Sequence, residues 1–406
     1  MLQIIKIAWR NVWRNKLRSF VVILSIVLGI WAGLFIMSLT LGLNEQRMNG
    51  AINTYLSHIQ IHNPKYLNDP DIHSFILHRD ETLSALQQNE NVKAFSTRAN
   101  VISMVSSSKG AFGVRIVGID PEQEKKVSNI YTMMKSGEYF TKFKRNPAVI
   151  GQKLADKLGV KVRSKIILSF QDMDKEIISA AFRVEGIYKT SSSRYDEFNI
   201  FVKRQDIDRL AKLQGNIHEI AVICPSINQV AQTTAILQQA IPDSQVRSWS
   251  DVAPELGYAQ KMMSSAIYIF MGIILFALAF GIINTMLMAI LERRRELGML
   301  MSVGMNKVKL FLMIVFETIF LSTIAVPVGM LLSYLFIQYF AHKGIDLSAA
   351  AKGLESLGIG AIIYPYLPTH FYFTITLMTV LVAFISSLIP AKKALSLNPA
   401  EAVRSI

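Results

Sequence analysis

Charged side chains disappear from four long stretches of the chain: Phe20 to Leu43, Met262 to Leu291, Thr318 to Ala341 and Ser356 to Ala391. Roughly 20 apolar residues at a rise of about 1.5 Å cross the hydrocarbon core of a bilayer, so each stretch can hold a spanning helix. The pattern predicts transmembrane helices over 20–43, 263–291, 310–341 and 371–391. The first is not expected to be a removable leader. A leader's apolar region is about 7–15 residues long and ends at small residues, whereas this run continues to Leu43. In the segment 1–19, Ile5, Trp9 and Val12 fall on one helical face and Lys6, Arg10 and Arg14 recur beside it. That pattern suits an amphipathic helix on a membrane surface, or a plain basic flank.

Between the first two spans, segment 44–262 changes character. Helical rhythm continues from Asn44 to Leu56, and it resumes after an expected N-cap at Ser250-Asp251, with Pro254 in the first turn. Strands are predicted at Leu56–His62, Val101–Ser106, Val114–Ile119, Lys165–Phe170, Ile177–Ile187, Phe198–Val202 and Glu219–Cys224. Helices are predicted at Glu81–Gln88, Arg204–Leu213 and Ile227–Gln239. The expected fold is therefore an α+β membrane protein: four transmembrane helices and a large α+β domain between the first two, with a β-rich subdomain inserted at about 100–203. A Gly- and Pro-containing connection, 342–370, joins the last two spans, and 392–406 forms a short tail.

Charge orients this arrangement. Residues 1–19 carry Lys6, Arg10, Arg14, Lys16 and Arg18 without an acid, a local +5. The loop 292–309 adds +3 and the tail +2, so +10 of the formal +14 lies in three short segments beside spans. This is the positive-inside pattern rather than a nucleic-acid face, and it places both termini and 292–309 in the cytoplasm of a plasma (inner) membrane protein. Segment 44–262 is then extracytoplasmic. It holds the single cysteine, Cys224, so its stability is expected to come from an apolar core rather than from a disulfide.

Catalytic signals are missing. No Gly is followed by Lys, which excludes a P-loop, and G-x-S-x-G, H-E-x-x-H and C-x-x-C do not occur. Asp172, Asp174 and Glu176 imitate half a calcium loop, but Ile177 stands where the glycine is needed, so a hairpin turn is expected. His58 and His62 share a strand face with Gln60 but have no carboxylate or cysteine at ligand spacing, and no metal site is expected. Glu317 is an acid inside a span, expected to pair with a basic residue near the cytoplasmic end. In the loop after the second span, Leu297, Leu300 and Val303 repeat on one helical face behind Glu292, Arg293 and Glu296, and Gly304 closes the segment. Periodicity leaves open whether this is a passive turn or a piece that inserts into a partner.

The stretch from Glu292 to Met305 resembles the E-R-x-x-E-x-G-x-L-x-x-x-G signature of FtsX-like ABC-transporter permeases. Phe316-Glu317 with Gly329, the ending from Pro390 through Pro399 to Arg404, and the opening Ala8-Trp9-Arg10-Asn11 are similar to the same family. Val117–Glu122, Val149–Ala155 and Val184–Thr190 resemble the LolC/LolE permeases of the lipoprotein-releasing system, which share a MacB-like periplasmic core. The resemblance implies the membrane subunit of a mechanotransmission-type ABC transporter. A cytoplasmic ABC ATPase dimer holding ATP and magnesium would seat on Glu292, Arg293, Glu296, Leu297, Gly298, Leu300, Val303 and Gly304. It also implies a second permease, identical or paralogous, and a lipid-anchored substrate gripped near Leu28, Phe35 and Ile274. LolC-type permeases carry a Pro-containing hook that catches a periplasmic chaperone, whereas the turn near Asp172 is short and proline-free. Two other readings remain: an FtsX-type regulator of a cell-wall hydrolase, and export of another amphiphile.

Overall fold

The computed structural model describes residues 2–14, 16–142, 145–350, 353–354 and 359–395. Part of the 342–370 connection and the terminal signature beyond Leu395, with Pro399 and Arg404, lie outside them. Two compact units emerge. One comprises Met1–Glu45, Lys261–Asp346 and Ile362–Ile406, the other Gln46–Gln260 and Leu347–Ala361. The chain begins with α1 (Leu2–Arg14) and α2 (Lys16–Ala51), and α2 passes into one π-helical turn, Ile52–Leu56.

The second unit contains β1 (Ile59–His62), α3 (Arg79–Gln88), β2 (Ala94–Ser107), β3 (Gly110–Ile119), α4 (Pro121–Glu124), β4 (Met134–Gly137) and β5 (Pro147–Gly151). It continues with α5 (Gln152–Leu158), β6 (Lys165–Gln171), β7 (Ile177–Tyr188), α6 (Ser193–Phe198), β8 (Asn199–Lys203) and α7 (Arg204–Ala211). The last elements are β9 (Glu219–Ile223), α8 (Val230–Ala240), β10 (Gln245–Ser248) and α9 (Trp249–Val252). Strand β2 pairs with β3 and β6, β6 with β7, β7 with β5, β5 with β8, and β8 with β3. These pairings close a ring around Val105, Ile116, Ile150, Leu168, Phe182 and Val184. The first half of β2 pairs instead with β9, which continues through β1 to β10. That sheet has its own core, with Ile59, Ile61, Leu86, Ile220 and Leu237. The expected β-rich part is thus not a separate sheet, because β2 runs through both cores.

Three details differ from expectation. The strand expected from Leu56 begins at Ile59, because Ile52–Leu56 is helical. All four residues of β1 are buried, so it lies between covered faces and does not alternate. The N-cap before α9 is Ser248, whose capping box with Asp251 replaces the Ser250-Asp251 start, and Pro254 opens the next helix.

The first unit is completed by α10 (Pro254–Glu292), α11 (Arg294–Ser302), α12 (Lys307–Lys343), the pair β11 (Ile345–Asp346) and β12 (Ile362–Ile363), and α13 (Thr369–Leu395). Among the described residues four helices are long and apolar enough to cross a membrane: Ser19–Leu56, Pro254–Glu292, Lys307–Lys343 and Thr369–Leu395. Their outward residues, such as Ile269, Phe276, Phe373 and Leu377, are large, apolar and more than half exposed, a surface suited to lipid. Inside, Ile26, Ile30, Leu34, Ile282, Met313 and Ala325 form one apolar core. Helix α1 joins it through Ile4, Ala8, Asn11 and Val12, with Asn11 Nδ2 donating to Met313 Sδ at 3.7 Å. Val12 is therefore covered, whereas Ile5 and Trp9, expected on the same face, lie at its exposed border. Small and polar residues at positions 8 and 11 let α1 approach α12, a signal that a search for large apolar side chains misses.

Candidate functional site

Between α10 and α12 the backbone makes a compact turn. Helix α11 ends in a Schellman motif: the Met305 amide donates to the Leu300 carbonyl at 3.0 Å and the Gly304 amide to the Met301 carbonyl at 3.1 Å. Gly304 takes φ +96°, a left-handed conformation costly for any residue with a Cβ. Asn306 then caps α12 by accepting from the Val308 amide at 3.1 Å.

An ion network fixes this turn to its neighbours. Arg293, at the N-cap of α11, donates from Nη1 to both Glu317 oxygens, at 3.0 and 3.2 Å, and from Nε to Glu296 at 2.9 Å. Glu296 also accepts from Arg14 at the end of α1. Burial pushes the Glu296 carboxyl up, but hydrogen bonds from Arg293 and Arg14 outweigh it and hold the group below the usual glutamate range. Glu317 finds its basic partner in Arg293, whereas Arg14 is a member that the sequence reading missed. Its spacing from Glu296 along the chain leaves no local trace.

The predicted docking residues differ in burial. Arg293, Leu297 and Gly298 are buried, Glu296 and Leu300 are half-buried, and Glu292, Val303 and Gly304 are exposed. Leu297 and Val303 thus do not share a covered face: Val303 is 89% exposed, beside exposed Met299 and Val308. Arg295, Lys307 and Lys309 are also exposed along this turn. An apolar tip within a basic rim is an unusual thing to offer water, and it has the make-up of a partner contact.

A second feature lies between α2 and α10: a groove of about 290 Å³ whose lining includes Ser25, Gly29 and Gly33 of α2 and Ile274, Leu278 and Gly281 of α10. Among the described residues no ionisable side chain lines it. Of the three predicted cavity residues only Ile274 is here. Phe35 packs on Phe336 and Phe340 of α12, with ring centroids 5.5 and 6.0 Å apart, and Leu28 is about half exposed elsewhere on α2. In the other unit His62 contacts the His218 carbonyl and Gln60, while His58 Nδ1 accepts from the Cys224 amide, so the paired histidines serve internal hydrogen bonds.

Four apolar helices and a large α+β domain between the first two define a multi-pass membrane protein. The model for the MacB-like periplasmic core domain matches residues 19–240 and that for the FtsX-like permease C-terminal matches 268–399, so the chain belongs to the FtsX-like ABC transporter permeases with a MacB-like core, proteins of the inner membrane. It is 25% identical to an uncharacterized ABC transporter permease of Methanocaldococcus jannaschii, over 99% of this chain and 97% of that one. It is 22% identical to the lipoprotein-releasing system transmembrane protein LolC of Neisseria meningitidis serogroup B, over 96% of this chain and 95% of that one. To the uncharacterized permease YknZ of Bacillus subtilis it is 21% identical, over 100% and 99%. Members of the family are membrane subunits that work with cytoplasmic ABC ATPases and are not themselves enzymes.

Proposed function

We propose that this permease is of the mechanotransmission type: ATPase motion at the α11 turn is carried by the spans to the extracytoplasmic domain, which expels a lipid-anchored substrate. In this reading both termini and the α11 turn lie in the cytoplasm, which the basic flanks support. The observation that carries the reading is the exposed tip Met299, Val303 and Val308, presented on a turn that Gly304, Arg293 and Glu317 hold in place. Two ATPase subunits, which would bind ATP and magnesium, seat on that tip, one for each of two permease chains, identical or paralogous. Helices α2 and α10 each contribute residues to both units, so they suit the role of levers. The uncharged groove between them suits an acyl chain rather than an ion.

Lipoprotein release toward the outer membrane is the substrate assignment supported by full-length similarity to LolC. Export of another amphiphile is the second reading, favoured by equal similarity to permeases without an assigned substrate. Purified with its ATPase in nanodiscs, the complex is expected to hydrolyse ATP faster when a triacylated lipoprotein is added. The same protein without its acyl chains should have no effect. Equal response to both forms, or to neither, would sink the lipoprotein assignment. No contact for a periplasmic chaperone is assigned, since the β6–β7 turn, 172–176, is short and proline-free.

A further inference from the structure

The junction between α2 and β1 is built unlike the rest of the chain. The π-helical turn Ile52–Leu56 closes on a bond from the Ser57 amide to the Ile52 carbonyl at 2.8 Å. Turns of this kind are rare overall and frequent at functional positions. Ser57 then takes φ 58° and ψ −175°, a region in effect reserved for glycine. It is fully buried, and its hydroxyl is among the buried groups without a hydrogen-bond partner. Such a residue persists only where its surroundings over-determine the backbone.

The surroundings do so from several sides. Arg98, buried on β2, is gripped by Glu124 and Glu219 at 2.6 Å each, and its Nη1 also donates to the Tyr55 carbonyl at 3.2 Å. Gln60 of β1 donates to the Leu56 carbonyl at 2.9 Å. The Asn129 amide donates to the Asn53 carbonyl at 2.9 Å, and the Tyr55 ring stacks on Tyr195 with centroids 4.6 Å apart. Carbonyls that a helix end leaves without helical partners are here held by separate parts of the domain. The joint also takes in the other lever. Ala51 and Leu56 pack with Ala253 and Leu256 at the start of α10, β1 pairs with β10, and the Trp249 amide donates to the His58 carbonyl at 3.0 Å.

We infer that the π-turn 52–56 is the fixed joint through which movement of the first span enters the extracytoplasmic domain, and that Arg98 is the positioning residue that locks it. The inference rests on the mechanotransmission reading. In an ordinary α-helical end, lacking the extra residue, the Tyr55 and Leu56 carbonyls would be turned by about 100° about the helix axis, away from Arg98 and Gln60.

The test uses the full chain with its ATPase in nanodiscs and follows amide hydrogen exchange with and without ATP. Two variants break the joint differently. Deletion of Asn53, whose side chain is exposed, converts the π-turn to α-helix, and Arg98→Lys keeps the charge but loses the fork that reaches Tyr55. In the unaltered protein ATP is expected to change exchange in β1 and β10. In both variants that change should fall by about fivefold or more while ATP turnover persists. An undiminished change in both variants would overturn the inference. No ATP-dependent change in the unaltered complex would instead overturn the reading beneath it. Should either variant unfold the domain, Tyr55→Leu decides, because it keeps an apolar side chain but removes the stacking of the π-turn on Tyr195: a weakened response supports the joint and an unchanged one overturns it.

Discussion

Arg293 and Glu317 form a buried pair, Nη1 to Oε1 at 3.0 Å, with side chains 9% and 3% exposed, joining the start of α11 to the interior of α12. Removing one member of such a pair leaves an uncompensated charge, which costs about 3–5 kcal/mol, whereas replacing both by apolar residues is often neutral. Glu317→Gln is therefore expected to lower the thermal midpoint of the permease in detergent and to weaken ATPase co-purification. Arg293→Met with Glu317→Leu should restore most of the midpoint. Equal loss in the single and double variants would show that the pair does not hold the turn.

Gly304→Ala places a Cβ at φ +96° in otherwise open space, so its effect is purely conformational. A cost of about 1–2 kcal/mol is expected, together with loss of the Schellman closure and reduced ATPase retention. Gly304→Asn, which tolerates the left-handed region better, should retain more of both.

Span packing gives a contrast between two glycines. A Cβ on Gly42 would lie 2.2 Å from the Tyr364 carbonyl oxygen, where only the backbone could yield, while Gly281 has nothing within 4 Å. Gly42→Ala is expected to destabilise the membrane unit and Gly281→Ala to leave its thermal midpoint unchanged. Matching midpoints for the two variants would refute the close approach.

Acid should loosen the extracytoplasmic domain in a defined window. Burial lowers the pKa values of His62 and His218 from 6.5, so the fold favours their neutral forms. Their contribution to stability is complete above pH 6.5 and declines as pH falls through it. His62 faces Glu219, Arg98 and Arg115. Burial would raise the Glu219 carboxyl, but Arg98 and its other partners hold it at about 2, so it stays ionised across this window. Exposed His73, raised by its hydrogen bond to Asp71, works in the opposite sense. His62→Gln is expected to flatten the fall in midpoint between pH 6.5 and 5 measured by intrinsic fluorescence, and an unaltered slope would contradict this assignment.

The spans were readable because the absence of charge over a long run has no other common cause, and the hairpin near Asp172 because turn residues interrupt two apolar runs. Strand β5 was not readable. Pro147–Gly151 is short, begins with proline and is buried at every position, so it shows no alternation. Its place depends on β7 and β8, whose residues lie far along the chain. The same limit hid Arg14 from Glu296 and the covered face of α1, where Ala8 and Asn11 matter because they are small or polar. At the α11 turn, periodicity found the helix and grouped Val303 with Leu297 and Leu300 on one face, but Val303 stands at the C-cap, where the chain reverses at Gly304, and is exposed while Leu297 is buried.

The central claim is that the tip of the α11 turn seats an ATPase, and affinity purification of the permease with its native ATPase after Met299→Glu and Val303→Glu tests it most directly. Both positions are more than half exposed, so the substitutions should leave folding intact. The account predicts loss of the ATPase from the purified complex while the thermal midpoint of the permease is unchanged. Full retention of the ATPase in the doubly substituted protein would contradict it.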